Sequence, residues 1–133
     1  MSKKNGDGID YLDVTYTEND KPRTDFPFKL AKHIVDKFDL KENNKILDVG
    51  CGRCEVLAGF GQLGLDISGV DASERIQSFA PKEISKLEIL DFSKENFPFD
   101  DNEFDIIFTK SVIEHINDPT HLMEEILRIL KPG

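Results

Sequence analysis

The chain has 133 residues, of which 26 are Asp or Glu and 17 are Lys or Arg, for a formal net charge of −9. Apolar residues make up 38% and charged residues 32%, the balance of one modest globular domain rather than a disordered chain. An acidic surface repels phosphate backbones and anionic lipid, which argues against nucleic acid as the main ligand, and no apolar run approaches the ~20 residues of a membrane span.

Residues 1–24 show no clear period. They hold Gly6, Gly8 and Pro22, and their only apolar anchors are Tyr11, Leu12, Val14 and Tyr16. This stretch reads as a flexible arm ahead of a core spanning 25–133. The opening Met1–Gly8 is polar and has no apolar h-region, so no secretory signal is visible. Two cysteines cannot form a disulfide framework, and a reducing cytoplasm is the expected setting.

A first helix is expected from about Asp25, with Pro27 in its first turn and Leu30, Ala31, Ile34, Val35 and Phe38 on one face. The polar turn Lys41–Asn44 ends it. Lys45-Ile46-Leu47-Asp48-Val49 reads as a short strand running into Gly50-Cys51-Gly52. A helix over 53–60 comes next, weakened and ended by Gly59, Gly61 and Gly64. A second strand over 65–70 ends at Asp71. Ser73 caps a short helix through about Ala80, which Pro81 stops. A third strand over 87–90 ends at Asp91. Phe97–Asn102 is a turn, and a fourth strand covers 104–108. A short helical turn over 112–116 precedes the last helix, with Asp118 as its cap and Pro119 at its first position. Leu122, Met123, Ile126, Leu127 and Leu130 form the apolar stripe of that helix. Strands alternating with helices predict an α/β fold, an open parallel sheet with helices on both faces.

Three acidic residues fall at the carboxyl ends of three successive strands: Asp48, Asp71 and Asp91. In an open parallel sheet ligands bind outside those ends, so the three are expected to share one crevice. Gly50 and Gly52 let a ligand press against the backbone, and the next helix offers N–H groups at its start. Asp71 is placed to accept both hydroxyls of a ribose. Asp91 can accept from an exocyclic amine, and the backbone N–H of Phe92 can face a ring nitrogen. The implied ligand carries an adenosine and tolerates positive charge.

Ile46-Leu47-Asp48-Val49-Gly50-Cys51-Gly52 resembles the glycine-rich first motif of class I S-adenosylmethionine-dependent methyltransferases. Gly69-Val70-Asp71-Ala72-Ser73 is similar to their acidic loop after the second strand. Phe97–Phe108 resembles the fourth-strand signature of the small-molecule branch, and Val112–Pro119 and Glu125–Gly133 resemble its continuation. The match runs over roughly 27–133, in order. It implies a Rossmann-like sheet of order 3-2-1-4, here the first four of seven strands, so that the chain is expected to be an N-terminal fragment. It also implies S-adenosylmethionine as cofactor and a small-molecule methyl acceptor. The site residues implied are the Gly50–Cys51–Gly52 loop along the methionine part, Asp48 near its ammonium, and Asp71 with Ala72 at the ribose. Asp91 and Phe92 would address the adenine, and the backbone at Thr109 and Lys110 the methionine end. Cys54 departs from the family, where many relatives carry a third glycine. With the sheet cut short, the edge of the fourth strand is expected to be covered by another copy of the chain or by the N-terminal arm.

His115 comes after the fourth strand on the ligand side, where a general base is physically sensible, although a packed or capping histidine reads the sequence as well. Cys51-x-x-Cys54 has the spacing of a dithiol redox motif, but the glycine-rich block accounts for its position otherwise, so no redox role is expected. Scattered His33, His115 and His121 make no metal set. Phe26, Phe28, Phe97, Phe99, Phe104 and Phe108 are expected in the core. Two other functions remain open. A nicotinamide dinucleotide domain would also use Asp71, but Glu55 replaces the third glycine of its fingerprint and suits a pyrophosphate poorly. A non-catalytic cofactor-binding or assembly module would keep the fold without the transfer.

Overall fold

In the computed structural model the described residues are 25–110 and 112–133, together with a two-residue antiparallel ladder in which Lys4–Asn5 pairs with Gly8–Ile9. The rest of the N-terminal arm, including Tyr11 to Tyr16, lies outside the described residues. Helix α1 spans Phe26–Phe38 and starts at Asp25 with proline in its first turn. Strand β1 is Lys45–Val49, α2 Glu55–Gln62, β2 Asp66–Asp71, β3 Lys86–Ile89, β4 Ile106–Thr109 and α3 Thr120–Ile129. The four strands are parallel in the order β3-β2-β1-β4, as the resemblance implies.

Side-chain alternation divides the strands between two apolar layers. Ile46 of β1, Ile67 of β2, Leu87 and Ile89 of β3, and Ile106 and Phe108 of β4 face α1 and α2. Leu47, Val49, Val70 and Ile107 face the other way, where Leu122, Ile126 and Ile129 of α3 meet a run of stacked phenylalanines. The Phe99 and Phe104 rings meet edge to face at 5.1 Å, and Phe97 joins them at 6.5 Å. Helices therefore cover both faces. α1 lies close on α2 because Gly59 has no side chain: a Cβ there would come 3.0 Å from that of Ala31. α3 is fastened by Glu125, which accepts the Phe97 N–H at 2.7 Å, and by Arg128, which donates to the carbonyls of Phe97 and Phe99.

Several boundaries differ from the sequence reading. The segment after Ser73 is a 3₁₀ turn over Glu74–Ser78 rather than an α-helix, although Ser73 does cap it by accepting from Arg75. β4 begins two residues later than expected. Phe104 instead forms a parallel bridge to Leu130, exchanging bonds with Ile129 and Lys131 on the edge of β4 away from β1. The chain's own return from α3 thus takes the start of the edge expected to be covered by another copy or by the arm. Phe26 and Phe28 are exposed rather than core, 59% and 37%, because the buried face of α1 is set by Ala31 against Gly59. Asp118 serves the start of α3 from one position further out, accepting the Thr120 N–H at 3.0 Å, with Pro119 outside the first helical turn. No helix among the described residues is long and apolar enough to cross a membrane.

Candidate functional site

The strand register builds the site. Val49 pairs with Val70 on one side and Thr109 on the other, and Asp71 pairs with Ile89. The residues just past these pairs therefore line one rim: the Gly50 turn, Asp71, Leu90 and Lys110. The turn hooks onto β2, since both Gly50 and Cys51 donate their N–H to the Val70 carbonyl, at 2.8 and 3.1 Å. Gly50 and Gly52 have φ of +81° and +55°, which side chains disfavour.

Asp71 is fully buried at this rim. One carboxylate oxygen accepts the Gly52 N–H at 2.8 Å, and the other accepts the Ser73 N–H at 3.0 Å. Asp71 is thus the clasp that ties the glycine turn to the end of β2. A carboxylate oxygen can accept two hydrogen bonds, so the clasp is compatible with a hydroxyl donor at the same group. Asp48, one residue inside the end of β1, is also buried, and burial together with the neighbouring Asp71 pushes its carboxyl up to about 8, while Lys110 pulls it down. The arrangement is a dry acidic pair at the mouth of the turn, with a lysine on its outer side.

The folded chain holds the Asp48 proton up to about pH 8, whereas the unfolded carboxyl releases it near 3.8. The stability this contributes is full below the unfolded value and is lost as pH rises through the folded one. Asp48→Asn is expected to flatten that decline, leaving the variant more stable than the parent near pH 8. Urea midpoints at about pH 5 and about pH 8 check this. An equal fall in both proteins would refute it.

Asp91 behaves differently. Its carboxylate accepts both the N–H and the hydroxyl of Ser93, at 2.9 and 2.6 Å, and these bonds hold it below the usual carboxylate range. Its own N–H donates to Glu95, and its side chain is 45% exposed. It sits next to Leu90, whose N–H reaches the Asp71 carbonyl, so it borders the rim as a turn-former. The ring of Phe92 is packed in the core, 6.1 Å from Phe97. Ala72 is exposed beside the clasp. Thr109 donates its hydroxyl to the Val49 carbonyl at 3.0 Å, tying β4 to β1. His115 is exposed on a 3₁₀ turn over Ile113–His115. Among the described residues no group of three His, Cys, Asp or Glu could hold a metal.

Three features are not legible in the sequence. Val112 lies directly over Gly50, and its Cγ2 occupies the place a Gly50 side chain would take. The missing side chain thus makes room for a residue beyond β4 as well as for any ligand, and nothing local in the sequence signals it. Arg53 lies over the Phe79 ring at 5.7 Å and 3.6 Å from Glu55, the first residue of α2. An acidic residue therefore does start this helix, an arrangement ill suited to a pyrophosphate. Finally, Cys51 and Cys54 are both buried, and Cys54 is in the left-handed region at φ +61°.

The site brings together a buried acidic pair, a glycine turn and a rim at the carboxyl ends of the strands, the side of an open parallel sheet where ligands bind. Residues 47–133, more than half of the chain, match the family model described as "Methyltransferase domain". Phosphoethanolamine N-methyltransferase 3 of Arabidopsis thaliana is 36% identical over 115 residues, covering 77% of this chain and 22% of that protein. Sterol 4-C-methyltransferase strm-1 of Caenorhabditis elegans is 30% identical over 107 residues, covering 76% of this chain and 32% of its own length. Among solved structures, the methyltransferase in a complex with the Haloferax volcanii Trm112 methyltransferase activator superposes with a TM-score of 0.71. It is 29% identical and covers 93% of this chain and 57% of its own. The chain thus spans a third or less of the two curated relatives.

Proposed function

For this chain, which belongs to the class I S-adenosylmethionine-dependent methyltransferases, we propose the binding of a methyl donor as its function. The family's methyl donor is S-adenosylmethionine. The chain's role is to hold that donor at the rim of its sheet, within a core spanning 25–133, for transfer to a small-molecule acceptor. The observation that carries this reading is the clasp of Asp71 on the glycine turn with buried Asp48 beside it.

S-adenosylmethionine, when bound, supplies a methyl group already activated by a cationic sulfur. The residues of the chain then have to bind, orient and exclude water. Asp71 accepts from the ribose hydroxyls alongside its clasp. Asp48 and the backbone of Gly50, Cys51 and Gly52 receive the methionine part, and Asp48 gives up its proton to meet an ammonium. Ala72 flanks the ribose. Asp91 and the Phe92 backbone border the adenine, and Thr109 and Lys110 close the methionine end. Where an acceptor must lose a proton, exposed His115 is the base. The two relatives are named for transfer to nitrogen and to carbon, on a phosphorylated amine and on a sterol. That range supports a small-molecule acceptor and a donor site independent of it.

Calorimetry with S-adenosylhomocysteine on the whole chain tests the reading. One equivalent is expected to bind, and NAD is expected to give no heat. Binding of NAD in its place, or of neither, would overturn it.

A further inference from the structure

Cys51-Gly52-Arg53-Cys54 forms a tight turn in which the Cys54 N–H donates to the Cys51 carbonyl at 2.7 Å. Such a turn holds its end Cα atoms within about 7 Å, overlapping the span of about 4.4–6.8 Å that a disulfide bridges. Cys54 Sγ donates to the Gly52 carbonyl at 3.8 Å, and both thiols are buried. Cys54 adopts a left-handed backbone conformation, φ +61°, that strains a side-chain-bearing residue and that glycine adopts without strain. The pair is therefore set inside the turn along which the donor reading lays the methionine part, with Gly52, between the two cysteines, bonded to Asp71.

We propose that Cys51 and Cys54 form a reversible disulfide across the glycine turn, made by a peroxide-class oxidant, and that the bridge lowers the affinity of the crevice for its nucleoside ligand. The second half rests on the donor reading; the first does not.

Cys51, the more accessible of the two at 7% exposure against 1%, reacts first. Its thiolate attacks one peroxide oxygen, the O–O bond breaks and hydroxide leaves, giving a sulfenic acid. The Cys54 sulfur then displaces hydroxide from it and the S–S bond forms. Two thiols are oxidised, one peroxide is reduced, and both thiol protons leave in two waters. The neighbouring Cys54 thiol, burial and the nearby Asp48 and Asp71 hold the Cys51 thiol above its usual range, so the reaction is slow at neutral pH and quickens as pH rises.

Closure requires both sulfurs to move. Cys54 Sγ must leave the Gly52 carbonyl. Cys51 Sγ must leave a tight pocket against Gly69, where a Cβ would come within 3.0 Å of it. The turn moves with them, and the Gly52–Asp71 clasp is disturbed.

The test treats the whole chain with hydrogen peroxide, removes the excess, and compares reduced, oxidised and re-reduced samples. Expected are a loss of about 2 Da, no thiol titratable after denaturation, and altered hydrogen exchange over 50–55 with the Gly52 N–H exchanging faster, all reversed by dithiothreitol. Affinity for S-adenosylhomocysteine is expected to fall about tenfold on oxidation and to recover. Cys54→Gly is expected to bind like the reduced parent and, with no partner for Cys51, to show no loss of about 2 Da after peroxide. Two surviving thiols, direct passage of Cys51 to sulfinic acid, or a bridge that leaves exchange over 50–55 unchanged overturns the site. A bridge with unchanged affinity overturns its effect on the crevice. If the reduced chain binds no S-adenosylhomocysteine, the donor reading fails, while mass, thiol count and exchange still decide the bridge.

Discussion

Asp71→Ala is expected to lower the stability of the chain by about 3–5 kcal/mol, read from urea unfolding. The carboxylate is fully buried and accepts two backbone N–H groups, from Gly52 and Ser73. Its removal leaves both donors without that acceptor in a dry place, at about 1–3 kcal/mol each. The loss is partly offset, because one of two adjacent buried acids is gone. Asp71 is a cause of the raised Asp48 carboxyl, so in Asp71→Ala the Asp48 proton should come off at lower pH. Asp71→Asn separates the contributions. It removes the charge and keeps one acceptor, but it turns an amide N–H toward one of the two backbone donors. Its loss should lie between those of the parent and the alanine variant. A loss under about 1 kcal/mol in Asp71→Ala would mean that the clasp is replaceable by water, and the site would then lack its central fixture.

The parts of this site that can be read from the sequence are those set by local chemistry. Strands β1 to β3 declare themselves as short apolar runs bounded by turn residues, whose side chains feed two layers, and the register then brings Asp71 and the glycine turn to one rim. Gly50 and Gly52 are legible because their backbone angles need glycine. Asp91 is only half legible, for an equally local reason. Ser93 stands two residues on, and a carboxylate that can bond its own chain at that distance does so before it serves a ligand. The start of β4 is hidden because Phe104 pairs with Leu130, a partner supplied by α3 from far along the chain. The exposure of Phe26 and Phe28 comes from how closely α1 lies on Gly59, a property of two elements and not of one. The seat of Val112 over Gly50 belongs to the same class: it joins residues on opposite sides of β4, and no local period marks it.

That contact makes the sharpest test of the turn. Gly50→Ala is expected to cost about 2–5 kcal/mol. The backbone at φ +81° accounts for about 1–2 kcal/mol of this. The collision of the new methyl with Val112 Cγ2 accounts for about 1–3 more. Val112→Ala alone removes two methyl-sized groups from a half-buried side chain and should cost about 1 kcal/mol. In the double variant the collision is gone and the backbone strain stays. The combined loss should therefore fall short of the sum of the two singles by about 1–3 kcal/mol, a coupling that urea unfolding of the four proteins can measure. Strict additivity would mean that Val112 yields to the new methyl without resistance, and that the hollow at Gly50 is set by backbone conformation alone. A clear coupling would show that the segment beyond β4 rests on the glycine turn. Val112→Ala alone should then open the crevice at the methionine end, and its affinity for S-adenosylhomocysteine, compared with that of the parent, would measure how much of that hollow a ligand has to share.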